Sequence, residues 1–218
     1  MKSLILKDLY NIGHNLRSML LILVFFAFLF LAGQKSISSY LPVTSLLCAM
    51  MTVTTFSFDE MSSWTKYALI LPVTRRTVVA SKFAVLIIFS AAGTIFGLVC
   101  TLIFGIFLPS LNLYGSDALP VLSLTACLSF SLAVFMGSLS LPLLFRFGAE
   151  KARLLLFVSF AVPVALCIAI GKVLAFFGIP ITDQVILRLI WLSPLAAFLT
   201  AAALFALSCR IFEKKEFT

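Results

Sequence analysis

The sequence has few charged residues. Aspartate, glutamate, lysine and arginine make up 11% of its 218 residues, whereas a soluble domain usually has about 25%. Hydrophobic residues make up 62%, which is more apolar surface than the core of a soluble domain can bury. The composition therefore excludes an ordinary soluble globule, a disordered chain and a disulfide-stapled secreted domain. It indicates an integral membrane protein.

Groups that enzyme and metal sites require are also scarce. His14 is the one histidine, so a histidine-based metal site or a catalytic triad within one chain is not expected. The phosphate-binding motif GxxxxGK[ST] is absent, because Gly171-Lys172 is followed by Val173. The cysteines lie in apolar segments without metal or CxxC spacing. We expect no catalytic residue, metal or cofactor in this chain.

Long continuous apolar runs predict an all-α membrane protein with six transmembrane helices. A barrel would instead show alternating segments of about ten residues. The predicted spans cover residues 18–33, 40–58, 78–108, 119–145, 154–178 and 185–209, so that 1–218 forms a single transmembrane domain. Residues 1–16 are too polar to span. Their apolar residues share one helical face, which predicts an amphipathic interfacial helix. The residues of this face are Ile5, Leu9, Ile12 and Leu16.

The basic residues predict the topology. With both termini in the cytoplasm, thirteen of the sixteen lysines and arginines fall in inner segments, and the outer side keeps Lys35, Lys172 and Arg188. This asymmetry follows the positive-inside rule. The net charge of +8 does not indicate nucleic-acid binding, because the basic residues form no patch interleaved with aromatic side chains. The basic residues are therefore expected to lie next to lipid headgroups and not on nucleic acid.

The connection between the second and third spans is the most informative stretch. We place Asp59 and Glu60 at the start of a short helix over 59–71, where the helix dipole favours acids. Pro72 ends this helix, and Thr74 can cap the next one. Its apolar positions share one helical face and are Met61, Trp64, Ala68 and Leu71. The pattern predicts an amphipathic surface helix followed by a long spanning helix.

Four side chains near this connection have two interpretations each. Arg75 and Arg76 fall in the first turn of the third spanning helix, where cations are disfavoured by about 0.3–1 kcal/mol each. Either they keep this segment on the cytoplasmic side and contact lipid headgroups, or they bind acidic groups of a partner protein. Trp64 and Tyr67 either lie in the inner aromatic belt or anchor a docking site.

These residues resemble the small bacterial type-2 permeases of ATP-binding-cassette exporters, including the phenol-soluble modulin exporter permeases. In that family the pattern follows the second of six spans, as it does here. The layout of the whole chain is also similar. The matching residues are Phe58-Asp59-Glu60, Trp64, Tyr67, Leu71-Pro72-Val73-Thr74-Arg75 and Ser81-Lys82.

The resemblance implies a half-transporter in the bacterial plasma membrane. Two permease chains, identical or paralogous, would bind separate ATPase subunits that hold ATP and Mg, and ATP would drive alternating access. The helix over 59–71 would be the coupling helix, and the cargo would be amphipathic peptides or lipid-like molecules moved outward. The residues expected to couple the chain to the ATPase are Asp59, Glu60, Trp64, Tyr67, Leu71, Pro72, Thr74, Arg75 and Arg76.

Two features lie within the predicted spans. Gly93 and Gly97 form a GxxxG pattern in a stripe of small residues, which predicts close helix packing within the chain. Lys172 lies deepest among the charges. It either snorkels to the surface or joins Arg188 in an outer vestibule that receives anionic groups.

Two other function classes remain open at this point. An ATPase-independent transporter or substrate-binding membrane component would show polar side chains converging on an outer pocket. A membrane enzyme would need a reactive cluster, and the sequence contains none of the motifs that build one.

Overall fold

The computed structural model describes residues 2–13, 15–33, 37–62, 64, 67, 74–107, 118–176 and 183–214. Every regular element in these ranges is helical. The helices are α1 (Lys2–Gly13), α2 (Leu16–Ala27, continued by a π-helical segment Phe28–Gly33), α3 (Ile37–Met61), α4 (Arg75–Phe107), α5 (Ala118–Phe176) and α6 (Asp183–Lys214). The prediction of an all-helical chain agrees with these elements.

Four of the described segments are long and apolar enough to cross a membrane. They are Ser39–Met61, Arg75–Phe107, Leu119–Gly148 and Ile190–Glu213, and they overlap the predicted second, third, fourth and sixth spans. α1 and the residues after it, Leu16–Leu31, meet the same test only when taken together, across a bend of 68°. The first and fifth spans, 18–33 and 154–178, and the cytoplasmic termini remain predictions.

α5 is broken at Gly148. A straight helix of its 59 residues would be about 90 Å long, roughly three times the thickness of a hydrocarbon core. Gly148 has φ 79° and ψ 171°, a backbone conformation open almost only to glycine. The break divides α5 into residues 118–148 and 149–176, within the interval 145–154 where the sequence predicts a connection.

The main core lies between α3, α4, the first part of α5 and α6. Aromatic side chains from three of these helices form a chain of edge-to-face contacts, with Phe145 4.9 Å from Phe56 and 5.2 Å from Phe212 between ring centroids. Phe83 of α4 contacts Phe205 of α6 in the same way at 5.5 Å. Edge-to-face pairs add to the free energy of apolar burial, so this layer holds together the end of α3, the end of the first part of α5 and the end of α6.

α1 packs against protein along its apolar face. Ile12 is buried with Val85 and Phe89 of α4, and Ile5 and Leu9 pack around this cluster. The predicted interfacial helix over 1–16 is therefore too long: α1 ends at Gly13, and Leu16 belongs to α2, where it is exposed. The physical reason is the 68° bend, which carries Leu16 out of the line of the apolar face.

Candidate functional site

The structure places four charged side chains from three helices in one cluster. Lys7 and Asp8 come from α1, Asp59 from the last turn of α3 and Lys82 from the third turn of α4. We call these four residues the charge ring. They come together because α1 crosses both α3 and α4 at the point where α3 ends and α4 begins.

Each lysine of the charge ring contacts both aspartates. Lys7 Nζ lies 2.5 Å from Asp59 Oδ1 and 3.3 Å from Asp8 Oδ1. Lys82 Nζ lies 2.6 Å from Asp59 Oδ2 and 2.9 Å from Asp8 Oδ2. Charges therefore alternate around a closed ring whose formal net charge is zero. The side between Lys7 and Asp8 is the weakest, because Asp8 Oδ1 accepts no hydrogen bond from any described residue.

The charge ring is largely removed from solvent. The exposed fractions of the side chains are 1% for Asp8, 4% for Lys82, 8% for Asp59 and 24% for Lys7. Isolated charges at such depth are costly, and a buried ion pair persists only when its geometry is good and its other polar atoms are satisfied. Alternation places each charge between two opposite charges, which offsets this cost even though Asp8 Oδ1 accepts no hydrogen bond from the described residues. Removal of one member would leave an uncompensated buried charge.

Three further contacts extend the charge ring, two from Lys82 and one from Lys7. Lys82 Nζ donates a hydrogen bond to Thr55 Oγ1 at 3.1 Å and lies 4.9 Å from the centroid of the Phe56 ring, both on α3. Lys7 Nζ lies 4.5 Å from the centroid of Trp64, which follows the end of α3. Cation–π contacts of this kind contribute roughly 0.5–2 kcal/mol. The half-buried Trp64 is thus attached to α1 through Lys7.

The start of the predicted helix over 59–71 is wrong. Asp59 and Glu60 lie in the last turn of α3, which ends at Met61, and not in the first turn of a new helix. At that position the helix dipole disfavours an acid, but Asp59 is compensated by the two lysines of the charge ring. Dipole matching within one segment therefore pointed to the wrong helix end.

Beyond α3, the structure describes only part of the predicted coupling segment. Met61 and Tyr67 are strongly exposed, with 84% and 61% of their surface accessible. Trp64 and Tyr67 are both helical. Leu71 and Pro72 lie outside the described residues. The described part presents apolar and aromatic surface next to the charge ring.

Thr74 caps α4, as the sequence predicts. Its Oγ1 accepts a hydrogen bond from the backbone N–H of Thr77 at 3.3 Å, and the two hydroxyl oxygens are 2.7 Å apart. α4 begins at the next residue, Arg75. The cap satisfies one of the amide groups that the first turn of a helix leaves without an intrahelical acceptor.

Arg75 and Arg76 contact the end of α6. Arg75 donates hydrogen bonds to the backbone carbonyls of Phe212 at 3.2 Å and Glu213 at 2.7 Å, where the C-terminal turn of a helix leaves acceptors unused. Arg76 Nε lies 2.9 Å from Glu213 Oε1, and 75% of the Arg76 side chain is exposed. The two arginines in the first turn of α4 are thus compensated by acceptors at the end of α6 in the same chain. Neither of the two interpretations drawn from the sequence included this contact.

The break in α5 at Gly148 lies close to the end of α3. A Cβ atom added to Gly148 would collide with Oε1 of Glu60, the residue after Asp59. Glycine is therefore required there both by its positive φ and by the closeness of α3. The connection in α5, the ends of α3 and α6 and the start of α4 therefore lie at one end of the bundle, where α1 contacts α3 and α4.

Gly93 and Gly97 lie where α4 packs closely on α3. An added Cβ at Gly93 would be 2.6 Å from Cβ of Cys48, and one at Gly97 would be 2.6 Å from Oγ1 of Thr44. Beside them, the hydroxyl oxygens of Ser45 and Thr94 are 2.9 Å apart across the two helices. Small residues permit this approach of the two backbones.

The structure does not test the predicted pairing of Lys172 and Arg188. Lys172 is exposed on the second part of α5. Arg188 lies in α6, and its side chain is outside the described ones. A vestibule formed by the two remains a proposal. Within the described ranges, no group of three or more histidine, cysteine, aspartate or glutamate side chains could hold a metal ion.

The charge ring itself was not predicted, although the sequence contains a signal for it. Asp8 stands between Leu4 and Ile12 at intervals of four, and all three are buried on one face of α1. A carboxylate on an apolar face indicates a buried partner, because burial of an unpaired charge is costly. Lys82 stands likewise between the buried Val79 and Leu86. The sequence does not say which charges meet.

Comparison with known proteins gives one match. The sequence model of the family described as ABC-2 family transporter protein matches residues 3–213, nearly the whole chain. No curated protein and no solved structure matches. The match covers the six helices except for the first residue of α1 and the last residue of α6, and it includes the charge ring.

Proposed function

Because the chain belongs to the ABC-2 family of transporter proteins, we propose that it is the permease subunit of an ATP-driven exporter in a bacterial plasma membrane. Membership in this family implies that the chain is a membrane transport component that works with an ATP-binding subunit. The proposal adds six spans, cytoplasmic termini and a second permease chain, identical or paralogous. ATP and Mg would bind to the separate ATPase, because this sequence lacks the P-loop motif.

We propose that the ATPase binds at the segment after α3. The observation that carries this proposal is the contact between Lys7 and Trp64, which holds an aromatic side chain at the end of α3 against a charge-paired, buried support. Tyr67 is exposed beside it. Aromatic residues held in a fixed orientation are frequent anchors of protein interfaces.

The other predicted coupling residues divide into two roles in this proposal. Asp59 supports Trp64 through Lys7, whereas Thr74 and the two arginines fix where α4 begins relative to α6. Glu60, Leu71 and Pro72 would complete the surface that meets the ATPase. The arginines are thus positioning residues of the permease and not the main contacts of its partner.

The cargo is proposed by resemblance to exporters of amphipathic peptides, and lipid-like molecules fit the same chemistry. Transport would proceed by alternating access. Lys172, which is exposed, would join Arg188 in attracting acidic groups at the outer side. Substitution of Lys172 by alanine should then reduce transport of an acidic amphipathic peptide. Unchanged transport would mean that the lysine only snorkels.

Co-purification tests the proposed docking directly. The chain is expressed together with a P-loop ATPase of the ATP-binding-cassette class, and the complex is isolated through a tag on the ATPase. We expect Trp64→Ala to reduce the recovered permease several-fold, because the anchor is lost. Trp191→Ala is the matched control: Trp191 is 60% exposed but lies near the start of α6, about 30 Å along the helix from Glu213.

Two outcomes would contradict the proposal. Equal recovery of the Trp64→Ala and Trp191→Ala variants would place the docking surface elsewhere. Failure of the unchanged chain to bind the ATPase would favour the alternative function, a transporter or substrate-binding component that needs no ATPase.

A further inference from the structure

The charge ring joins three segments that the backbone connects only through a bend and a loop. α1 is attached to α2 at the bend of 68°, and α3 and α4 are separated by residues 62–74. Lys7 and Asp8 link α1 to Asp59 of α3 and Lys82 of α4. A movement at the end of α3 can therefore reach α1 and α4 directly through side chains.

We propose that the charge ring is a mechanical joint, which transmits displacement of the Trp64 segment to α1 and to the start of α4. The inference rests on the proposed function, because the ATPase would supply the displacement. It goes beyond docking: it assigns the transmitted movement to four named side chains and to the N-terminal helix.

Burial of charge is the first argument for a joint. Apolar side chains of similar volume can replace a buried ion pair with no loss of stability and often with a gain, and the best-attested use of buried charge is to select one register or one of two states. Here four charges lie between helices that apolar contacts alone could hold together. Ile12, Val85 and Phe89 already make such contacts between α1 and α4.

Unequal exposure of the two lysines is the second argument. Lys82 is 4% exposed and fixed by Asp8, Asp59 and Thr55. Lys7 is 24% exposed and faces Trp64. The charge ring thus has a fixed member on the spanning helix α4 and a more exposed member on α1, Lys7, which contacts the segment proposed to meet the ATPase. Displacement of Trp64 would act on Lys7 first and reach Lys82 through the shared aspartates.

Apolar contact one helical turn further along α1 is the third argument. The Ile12 cluster joins α1 to α4 further along the membrane-crossing direction of α4, at Val85 and Phe89. α1 therefore touches α4 at two places, the charge ring and this cluster. A pull on Lys7 would move α1 and α4 together and would not simply detach α1.

The experiment measures the position of α1 by electron spin resonance distance measurement. A parent chain is made with its five cysteines replaced by alanine or serine. Spin labels are attached at Tyr10→Cys on α1 and Arg210→Cys on α6, both exposed positions. The parent is reconstituted with its ATPase in liposomes, and the interspin distance is compared before and after trapping with Mg-ATP and vanadate. We expect a shift in the parent.

Two charge-neutral variants then interrupt the joint from opposite sides. Lys7→Met with Asp8→Asn leaves the pair of Asp59 and Lys82, whereas Asp59→Asn with Lys82→Met leaves the pair on α1. Both keep the net charge of the buried site at zero. We expect each to bind the ATPase less tightly, because each removes part of the support of Trp64, and to lose more than half of the shift when the ATPase is added at a saturating concentration. Lys2→Met, a change at an exposed lysine of α1, should keep the full shift.

Each remaining outcome overturns the joint. A full shift in both neutral variants, or a bound parent that shows no shift, refutes transmission and leaves the proposed function intact. If neither variant yields a folded chain, the charge ring is a structural requirement and the transmitting role is withdrawn. If the parent does not bind the ATPase, the proposed function fails, and the joint fails with it.

Discussion

A double-mutant cycle on Lys82 and Asp59 tests the energetics of the charge ring. Lys82→Met removes the cation that lies 2.9 Å from Asp8 and 2.6 Å from Asp59. The site is left with two aspartates and one lysine, a net charge of −1 where the aspartates are 1% and 8% exposed. Breaking a buried pair in this way costs about 3–5 kcal/mol of unfolding free energy.

The second half of the cycle restores neutrality. Asp59→Asn alone should cost a similar amount, because it leaves a net charge of +1. The combination of Lys82→Met with Asp59→Asn keeps the neutral pair of Lys7 and Asp8. Its cost should therefore fall below the sum of the single changes by about 2–3 kcal/mol, at the upper end of measured coupling energies.

An exposed ion pair of the same chain gives the matched control. Arg76 and Glu213 are 2.9 Å apart, but their side chains are 75% and 43% exposed. Solvent screens such a pair, and its coupling energy should be much smaller than that of the buried pair. The assay is equilibrium unfolding in mixed micelles by titration with dodecyl sulfate, followed by circular dichroism. Additive effects at Lys82 and Asp59, equal to those at Arg76 and Glu213, would refute the reasoning.

Two further predictions concern glycines, and the same unfolding assay measures both. Gly148→Ala should lower the unfolding free energy by about 1–3 kcal/mol through its positive φ, with an added penalty from the collision with Glu60. Gly13→Ala is the control, since an added Cβ there meets nothing within 4 Å, and a cost at Gly13 as large as that at Gly148 would contradict this explanation. Gly97→Leu should cost about 1–3 kcal/mol by forcing α4 away from Thr44, and no loss would mean that the helices separate without penalty.

Helical periodicity and apolar length account for most of the fold that the sequence predicts. The bounds of α3 and α4 lie within about three residues of the predicted second and third spans, because continuous apolar runs and the Thr74 cap are local signals. The break at Gly148 is less visible in sequence, since its reason is the closeness of Glu60 from another helix.

The candidate site was predictable only in part, because its organisation is tertiary. Trp64 and Tyr67 stand out by residue type, but what holds Trp64 is Lys7, more than fifty positions away in the chain. Dipole matching places Asp59 at the wrong helix end, because the two lysines that compensate it come from α1 and α4. The spacing of Leu4, Asp8 and Ile12 signals a buried charge without naming its partner.

Arg75 and Arg76 show the same difference between local and tertiary signals. Their place in the first turn of α4 is unfavourable when that helix is considered alone. In the folded chain, the carbonyls of Phe212 and Glu213 and the carboxylate of Glu213 compensate them. The unfavourable position of the two arginines therefore indicated a real contact, but the contact is with the end of α6 and not with another protein.

The most direct test of the central claim is photo-cross-linking from the segment after α3. A benzophenone amino acid is placed at Tyr67 or at Trp191, which are 61% and 60% exposed, in membranes that contain the permease and its ATPase. We predict a cross-linked product of permease and ATPase from position 67 and none from position 191. Cross-linking from position 191 alone, or from neither position, would contradict the account that an ATPase acts on this chain through that segment.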